Sequence, residues 1–344
     1  MKKFFRNILI ALILIPAIAF FTACDEKPPE EPKLTVIEVD TLEEINNAIK
    51  TTDSKHIIKL VGNIVVEEVV SGYIQPVLIF PEEKNYENVT IDLNGYDIQT
   101  EVVIAQEIYR DSNGKYVGFR NGTKVTTENI ANVNIINSKT TGIIGSQTNT
   151  SIDYPITLRI NNGCTVNLKN LNTYGNSAGI YSNGNYEGTS VVTAENCNFE
   201  CVCDSDGAGA YLVSNITTNF DNCEFVGYSA YYTKSGTHNL TNCTFTANGT
   251  DYVYPPEHYN SGFSSNASAL VIDSAEGYIN TLIVNVYGGT FSTVADGAKD
   301  IQEFKTKTQS GTIEAYSQVK IYNLSQTDVN YSSDNDTIIF VNAN

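Results

Sequence analysis

The sequence predicts an all-β solenoid: coils of β-strand stacked in parallel, closed at the N-terminal end by one short helix. Three observations carry this. A β-run, a turn centred on Asn or Gly, and a second β-run recur along most of the chain, as in VTIDLNGYDIQ, TVNLKNLNTYG and TTNFDNCEFVG. Three successive units place an identical Asn-Cys-x-Phe at the turn: Asn196 to Phe199, Asn222 to Phe225 and Asn242 to Phe245. The 344 residues are 41% hydrophobic and only 17% charged, with 24 Gly and 9 Pro, the composition of a folded chain and not of a disordered one.

Residues 1–23 read as an export signal. Lys2, Lys3 and Arg6 form a charged start, Ile8 to Phe20 is apolar apart from Pro16, and Phe21-Thr22-Ala23-Cys24 ends the run. The apolar stretch is shorter than the about 20 residues a membrane span needs. Its ending resembles the lipobox of bacterial lipoproteins. The resemblance implies cleavage before Cys24, diacylation of its sulfur, a membrane partner through that lipid anchor, and a surface-facing place in the bacterial cell envelope. Losing three cations leaves 18 basic against 39 acidic residues, a net charge of −21. Residues 24–33, CDEKPPEEPK, then form a charged, Pro-rich tether that packs no core.

Residues 34–344 are expected to form one domain. Leu34 to Val39 is β-prone. Thr41 with Glu44 makes a capping box, and Leu42, Ile45, Ala48 and Ile49 recur at helical spacing, so residues 42–50 form an amphipathic helix whose apolar face needs a surface to cover. His56 to Val66 is β-strand either side of a Gly-Asn turn. From there the turns align at Asn63, Asn94, Asn137, Asn170, Asn196, Asn222, Asn242 and Gly288, at intervals of 31, 43, 33, 26, 26, 20 and 46 residues. The short intervals are single coils, the long ones coils with an insertion, and Asn323 marks a ninth turn.

Cys and Phe two apart in a strand point to the same face, so stacking at about 4.8 Å sets Cys over Cys and Phe over Phe in an inward ladder. Asn suits the turn because it tolerates left-handed backbone and hydrogen-bonds the Asn of the next coil. A β-sandwich of short strands offers no reason for one tetrapeptide at fixed phase. Over roughly residues 36–342 the pattern resembles the right-handed parallel β-helix of pectate-lyase-like proteins. The resemblance implies a helix over the first coil, a role residues 42–50 fill.

Apart from Cys24 there are six cysteines: Cys164, Cys197, Cys201, Cys203, Cys223 and Cys243. In-register stacking holds Cβ atoms farther apart than the roughly 3.5 to 4.5 Å a disulfide prefers, so free buried thiols are favoured over the disulfide framework an exported chain invites. Cys201-x-Cys203 lacks a second pair for zinc. His56, His238 and His258 are the only histidines, too few for a multi-histidine metal centre. Asp111-Ser112-Asn113-Gly114 and Asp204-Ser205-Asp206-Gly207 look like fragments of calcium loops, but neither completes the twelve-residue pattern and a plain turn is the alternative. No cofactor is expected.

A net charge of −18 argues against a nucleic-acid partner, since affinity for phosphate backbones rests on Lys and Arg. The pectate-lyase-like resemblance implies polysaccharide lyases and hydrolases as one possibility. Yet only Arg110, Arg120 and Arg159 lie outside the signal, none expected in the regular central coils, and no galacturonase motif is present. If the chain is an enzyme, the candidate catalytic residues are Glu195, Asp221 and Glu224, with Lys169 one coil earlier. Stacked carboxylates about 5 Å apart match a retaining glycosidase pair, while a solvated ladder edge with Lys169 pairing Glu195 is the competing account. The insertions carry Tyr109 and Tyr116, and then Tyr252, Tyr254 and Tyr259 beside Pro255-Pro256. Tyr suits stacking on sugars and bonding their hydroxyls, or simply packs a loop onto the coil. The expected function is a non-catalytic, membrane-anchored rod whose side loops bind a neutral glycan or a surface protein. The alternative is a glycan-cleaving enzyme of the same fold.

Overall fold

A computed structural model of the chain describes residues 34–51, 56–66, 69–70, 73–79, 89–104, 108–119, 131–139, 141–146, 156–160, 163–183, 190–203, 205–252, 266–274, 281–304, 317–334 and 336–341. Residues 35–344 form one compact unit. The signal, the tether, Cys24, Tyr254, Tyr259 and Asp204 lie outside the described residues. No helix among the described residues is long and apolar enough to cross a membrane.

The unit is a right-handed parallel β-helix with three sheets of eleven, eight and nine strands. Each coil runs from the first sheet through the Asn turn to the second, then to the third, and back. In the sixth coil the three strands are Ile216–Asp221, Glu224–Gly227 and Ser229–Thr233. The first sheet's strands alternate buried and open, as in Ile216–Asp221, because one face meets the core and the other meets solvent.

The turns behave as their chemistry requires. Asn94, Asn170, Asn196, Asn222, Asn242 and Asn323 have φ between 49° and 62°, and Gly288 takes the same region at 72°. Asn222 Nδ2 donates to Asn196 Oδ1 at 2.7 Å, and Asn196 Nδ2 to Asn170 Oδ1 at 3.4 Å. Two aligned positions differ from expectation: Asn63 and Asn137 are not left-handed. Asn137 begins a wider connection to Ile143–Gly145, so no single residue has to reverse the chain. Its side chain holds that loop instead, Oδ1 accepting the N–H groups of Gly95 and Lys139 and Nδ2 donating to the Gly142 carbonyl.

Inside, Phe199, Phe225, Phe245 and Phe291 stack at 5.6, 5.4 and 5.0 Å between ring centres, all within 18° of parallel. Parallel register forces this, since Phe199 pairs with Phe225 and Phe225 with Phe245. Cys197, Cys223 and Cys243 are buried beside them, and the six cysteines are free thiols. Burial pushes the Cys201 and Cys243 thiols up to about 12, which keeps them protonated and inert.

The helix Leu42–Thr51 buries Ile45, Ala48 and Ile49 on the first coil. Thr41 Oγ1 accepts the Glu44 N–H, and the Glu44 carboxylate accepts the Asp40 N–H. The turn-aligned reading missed the third strand of every coil. Its signature is a short run ending in Tyr: Ala178-Gly179-Ile180-Tyr181, Ala208-Gly209-Ala210-Tyr211, Ser229-Ala230-Tyr231-Tyr232. Gly179 and Gly209 are there because the second and third sheets converge; a Cβ at Gly209 would lie 2.5 Å from the Phe199 carbonyl oxygen.

Candidate functional site

The third sheet carries the chemistry that the sequence concealed. Its strands are buried along their whole length from Ala178–Ser182 to Ile301–Phe304, so its outer face is covered as well as its inner one. One outward column runs in register through Val103, Arg159, Tyr181, Tyr211, Tyr232, Val271 and Gln302. The three tyrosines stack, with centroids 5.4 and 5.3 Å apart and planes 18° and 28° from parallel.

Each end of that stack meets a cation. Arg159 Cζ lies 5.0 Å from the centre of the Tyr181 ring, and Lys234 Nζ lies 5.5 Å from that of Tyr232. Each cation also meets a carboxylate. Arg159 Nε is 2.7 Å from Glu101 Oε1, and Lys234 Nζ is 3.0 Å from Asp273 Oδ2 with side chains 0% and 1% exposed. The Lys234 contact is close but not aligned as a hydrogen bond. Tyr232 OH donates to the same Asp273 oxygen at 2.8 Å. Burial raises the Tyr181 phenol, which keeps that hydroxyl neutral. The result is a locally neutral, water-excluded face with a phenol, an ammonium and a carboxylate in mutual contact. Arg159 lies on the third-sheet strand Ile156–Ile160, in a coil ahead of the regular central ones, where Glu101 offsets its burial.

The sequence-derived carboxylates are placed elsewhere. Glu195 and Asp221 pair in register at the ends of adjacent first-sheet strands, both facing solvent. Lys169 Nζ lies 2.8 Å from Glu195 Oε2, each side chain about half exposed. Glu195 and Asp221 border one shallow depression with Asn219 and Asn239. Glu224 borders another, with Asn196, Asn222 and Asn242, on the opposite side of the Asn ladder. The three do not converge on one point. The first sheet's outer face also carries a second amide ladder, Asn285 to Asn239 and Asn239 to Asn219, each at 2.9 Å.

Among the aromatic candidates, Tyr109 and Tyr116 lie on the antiparallel hairpin Ile108–Arg110 with Tyr116–Phe119, a strand pair where a loop was expected. Tyr252 donates its hydroxyl to Gln302 Oε1 at 2.9 Å and packs against Tyr228, Ala267, Ala295 and Ala298. Asp111 closes the hairpin: its Oδ1 accepts the Asn113 and Lys115 N–H groups, which lower the carboxyl's pKa, the arrangement of a plain turn. No group of three or more His, Cys, Asp or Glu among the described residues could hold a metal ion.

Compared with known proteins, the chain matches no family model, no curated protein and no solved structure.

Proposed function

We propose that this chain is a lipid-anchored envelope rod, tethered through Cys24, whose coil stack holds out insertions that bind a neutral glycan or a protein on a neighbouring surface. One observation carries the reading. Connections from the first sheet to the second stay short, whereas the long connections, at 66–76, 105–130, 146–155, 248–269 and 305–316, all leave the coil at an edge of the third sheet. The points where the long connections leave and rejoin the coils are therefore the edges of one sheet of a rigid scaffold, and loops on such a scaffold are where binding residues are usually placed. Tyr254 and Tyr259 fall within these insertions, and Tyr109 and Tyr116 on a hairpin in another.

The ligand class follows from charge. At −21 after signal removal, the chain repels polyuronates, which leaves neutral sugars and protein surfaces. A glycan array, run beside an assay for released reducing sugar, tests this: binding of neutral glycans without cleavage is expected. Replacing Tyr252, Tyr254 and Tyr259 together by Ala should weaken binding, and an unchanged array profile would sink the side-loop reading. The adjacency of Glu195 and Asp221 favours the competing reading, a glycan-cleaving enzyme of pectate-lyase-like fold. Cleavage that disappears in Glu195→Gln with Asp221→Asn would establish that reading instead. Membrane fractionation of Cys24→Ser checks the anchor, since the variant should leave the membrane fraction.

A further inference from the structure

Lys234 and Asp273 each stand one residue beyond a register pair, Thr233 with Ile272, and so meet across neighbouring coils of the third sheet. The column they share continues to Val213 on one side and to Phe304 on the other. Tyr232 and Val271 occupy the column alongside. Val213, Tyr232, Val271 and Phe304 belong to one buried apolar cluster, and the two charged side chains are themselves out of water. An ammonium carries three N–H donors, yet this one meets the carboxylate at 3.0 Å with no aligned hydrogen bond to any described residue. The buried pair at Arg159 is built differently, since its Nε donates to Glu101 Oε1 at 2.7 Å and a guanidinium stays charged. Lys234 is thus an amine pressed onto a carboxyl in a dry site. A phenol is bonded to the same carboxyl, Tyr232 OH donating to Asp273 Oδ2 at 2.8 Å.

We propose that Lys234 and Asp273 condense after folding into an intramolecular isopeptide bond, an amide between Nζ and Cγ that staples two coils together. Attraction between two buried charges repays their desolvation only when hydrogen bonds also satisfy them, and condensation removes both charges at once. One proton passes from the ammonium to the carboxylate, leaving a neutral amine and a carboxylic acid. The Nζ lone pair attacks Cγ, and negative charge gathers on Oδ2, where the Tyr232 hydroxyl already donates. The tetrahedral carbon then expels its other oxygen as water, which carries away the acid's proton and one proton from nitrogen. An amide with a single N–H remains; one water is lost and nothing is oxidised or reduced. A site closed to water also opposes the reverse hydrolysis. Before condensation the two groups are the ion pair described above, so the energetics of uncondensed chains are those of that pair. Between the two residues the chain leaves the rod and returns, over residues 248–269. The bond therefore ties both ends of that insertion to the scaffold whatever the insertion binds, and it depends on neither the ligand nor the lipid anchor.

Peptide mapping of the purified full chain, denatured before digestion, tests the bond. Trypsin cuts after free Lys, so it should pass over Lys234. The peptide carrying Lys234 should appear joined to the one carrying Asp273, the two together lighter by one water than their sum. Separate linear peptides, one of them ending at Lys234, would overturn the proposal with no variant needed. Chain kept in urea from the time it is made should lack the bond and acquire it on refolding, and a bond present in chain that never folded would overturn its dependence on the site. Lys234→Arg keeps the cation but cannot condense, so Asp273 should be recovered there at full mass. Water still missing at Asp273 in that variant would mean a succinimide with Ser274 in place of the cross-link. Tyr232→Phe keeps the ring in its stack and removes the hydroxyl, which should slow bond formation after refolding by about a hundredfold. An unchanged rate would overturn the phenol's part in the step.

Discussion

Asn222 joins two levels of this structure: its backbone sits at φ 52°, and its side-chain amide donates to Asn196 Oδ1 at 2.7 Å on the preceding coil. A left-handed turn and a coil-to-coil tie are thus supplied by one residue. Asn222→Ala should cost about 1 to 2 kcal/mol, from forcing a Cβ-bearing residue without a compensating polar group into that region. Asn222→Gly should cost less, since Gly adopts it without strain. Urea unfolding of both variants settles the order, and equal losses would mean the amide, not the backbone, dominates.

Phe225 lies between Phe199 and Phe245 in the interior stack and is fully buried. Truncation removes a ring from a column that neighbouring coils hold at fixed spacing, so the cavity cannot collapse. Phe225→Ala should lose about 3 to 5 kcal/mol, and Phe225→Leu distinctly less. A loss for the Ala variant below about 1 kcal/mol would contradict the stacking.

His238 gives the fold a pH dependence with a definite sign. It is fully buried; Nε2 donates to the Ser235 carbonyl at 2.9 Å, and Nδ1 lies 2.8 Å from Tyr231 OH. Burial lowers its pKa from 6.5 to about 4. The unfolded chain therefore binds more protons between those values, and stability falls as pH drops from about 6.5 towards 4. The full effect is of order 3 kcal/mol. Urea midpoints at pH 7 and pH 4.5 measure it, and His238→Gln should flatten that slope.

Lys234 and Asp273 form an ion pair with both side chains out of water. Removing one charge strands the other, so Lys234→Met or Asp273→Asn should each cost about 3 to 5 kcal/mol. Replacing both by apolar residues should recover much of the loss. A double-mutant cycle showing simple additivity would mean that the two charges do not compensate each other.

How much was legible follows from where each feature's partners lie in the chain. The Asn turns and the inward Cys and Phe appear in the sequence because turn geometry and strand alternation act over two to four residues and repeat in every coil. Third-sheet strands escaped because their Gly and Ala answer to convergence with the second sheet, a constraint imposed across the coil. Their recurring terminal Tyr was the available signal. Asn63 and Asn137 matched the turn alignment by residue type only: Asn137 opens a longer connection to Ile143–Gly145, while Asn63 stands directly before the strand Ile64–Val65, two positions further into its coil than the left-handed Asn94 in the next.

The sequence by itself determined the coil, its turn chemistry and its buried column, because local backbone preference and a repeated tetrapeptide admit one stacking phase. Only the tertiary structure decided which charges meet. Arg159 finds Glu101 from 58 residues away, and Lys234 finds Asp273 across an insertion. Insertions of unequal length separate residues that coil register then brings side by side, so sequence distance carries no information about these pairs. The same register separates Glu224 from Glu195 and Asp221, close as they are in sequence, by placing the Asn ladder between them.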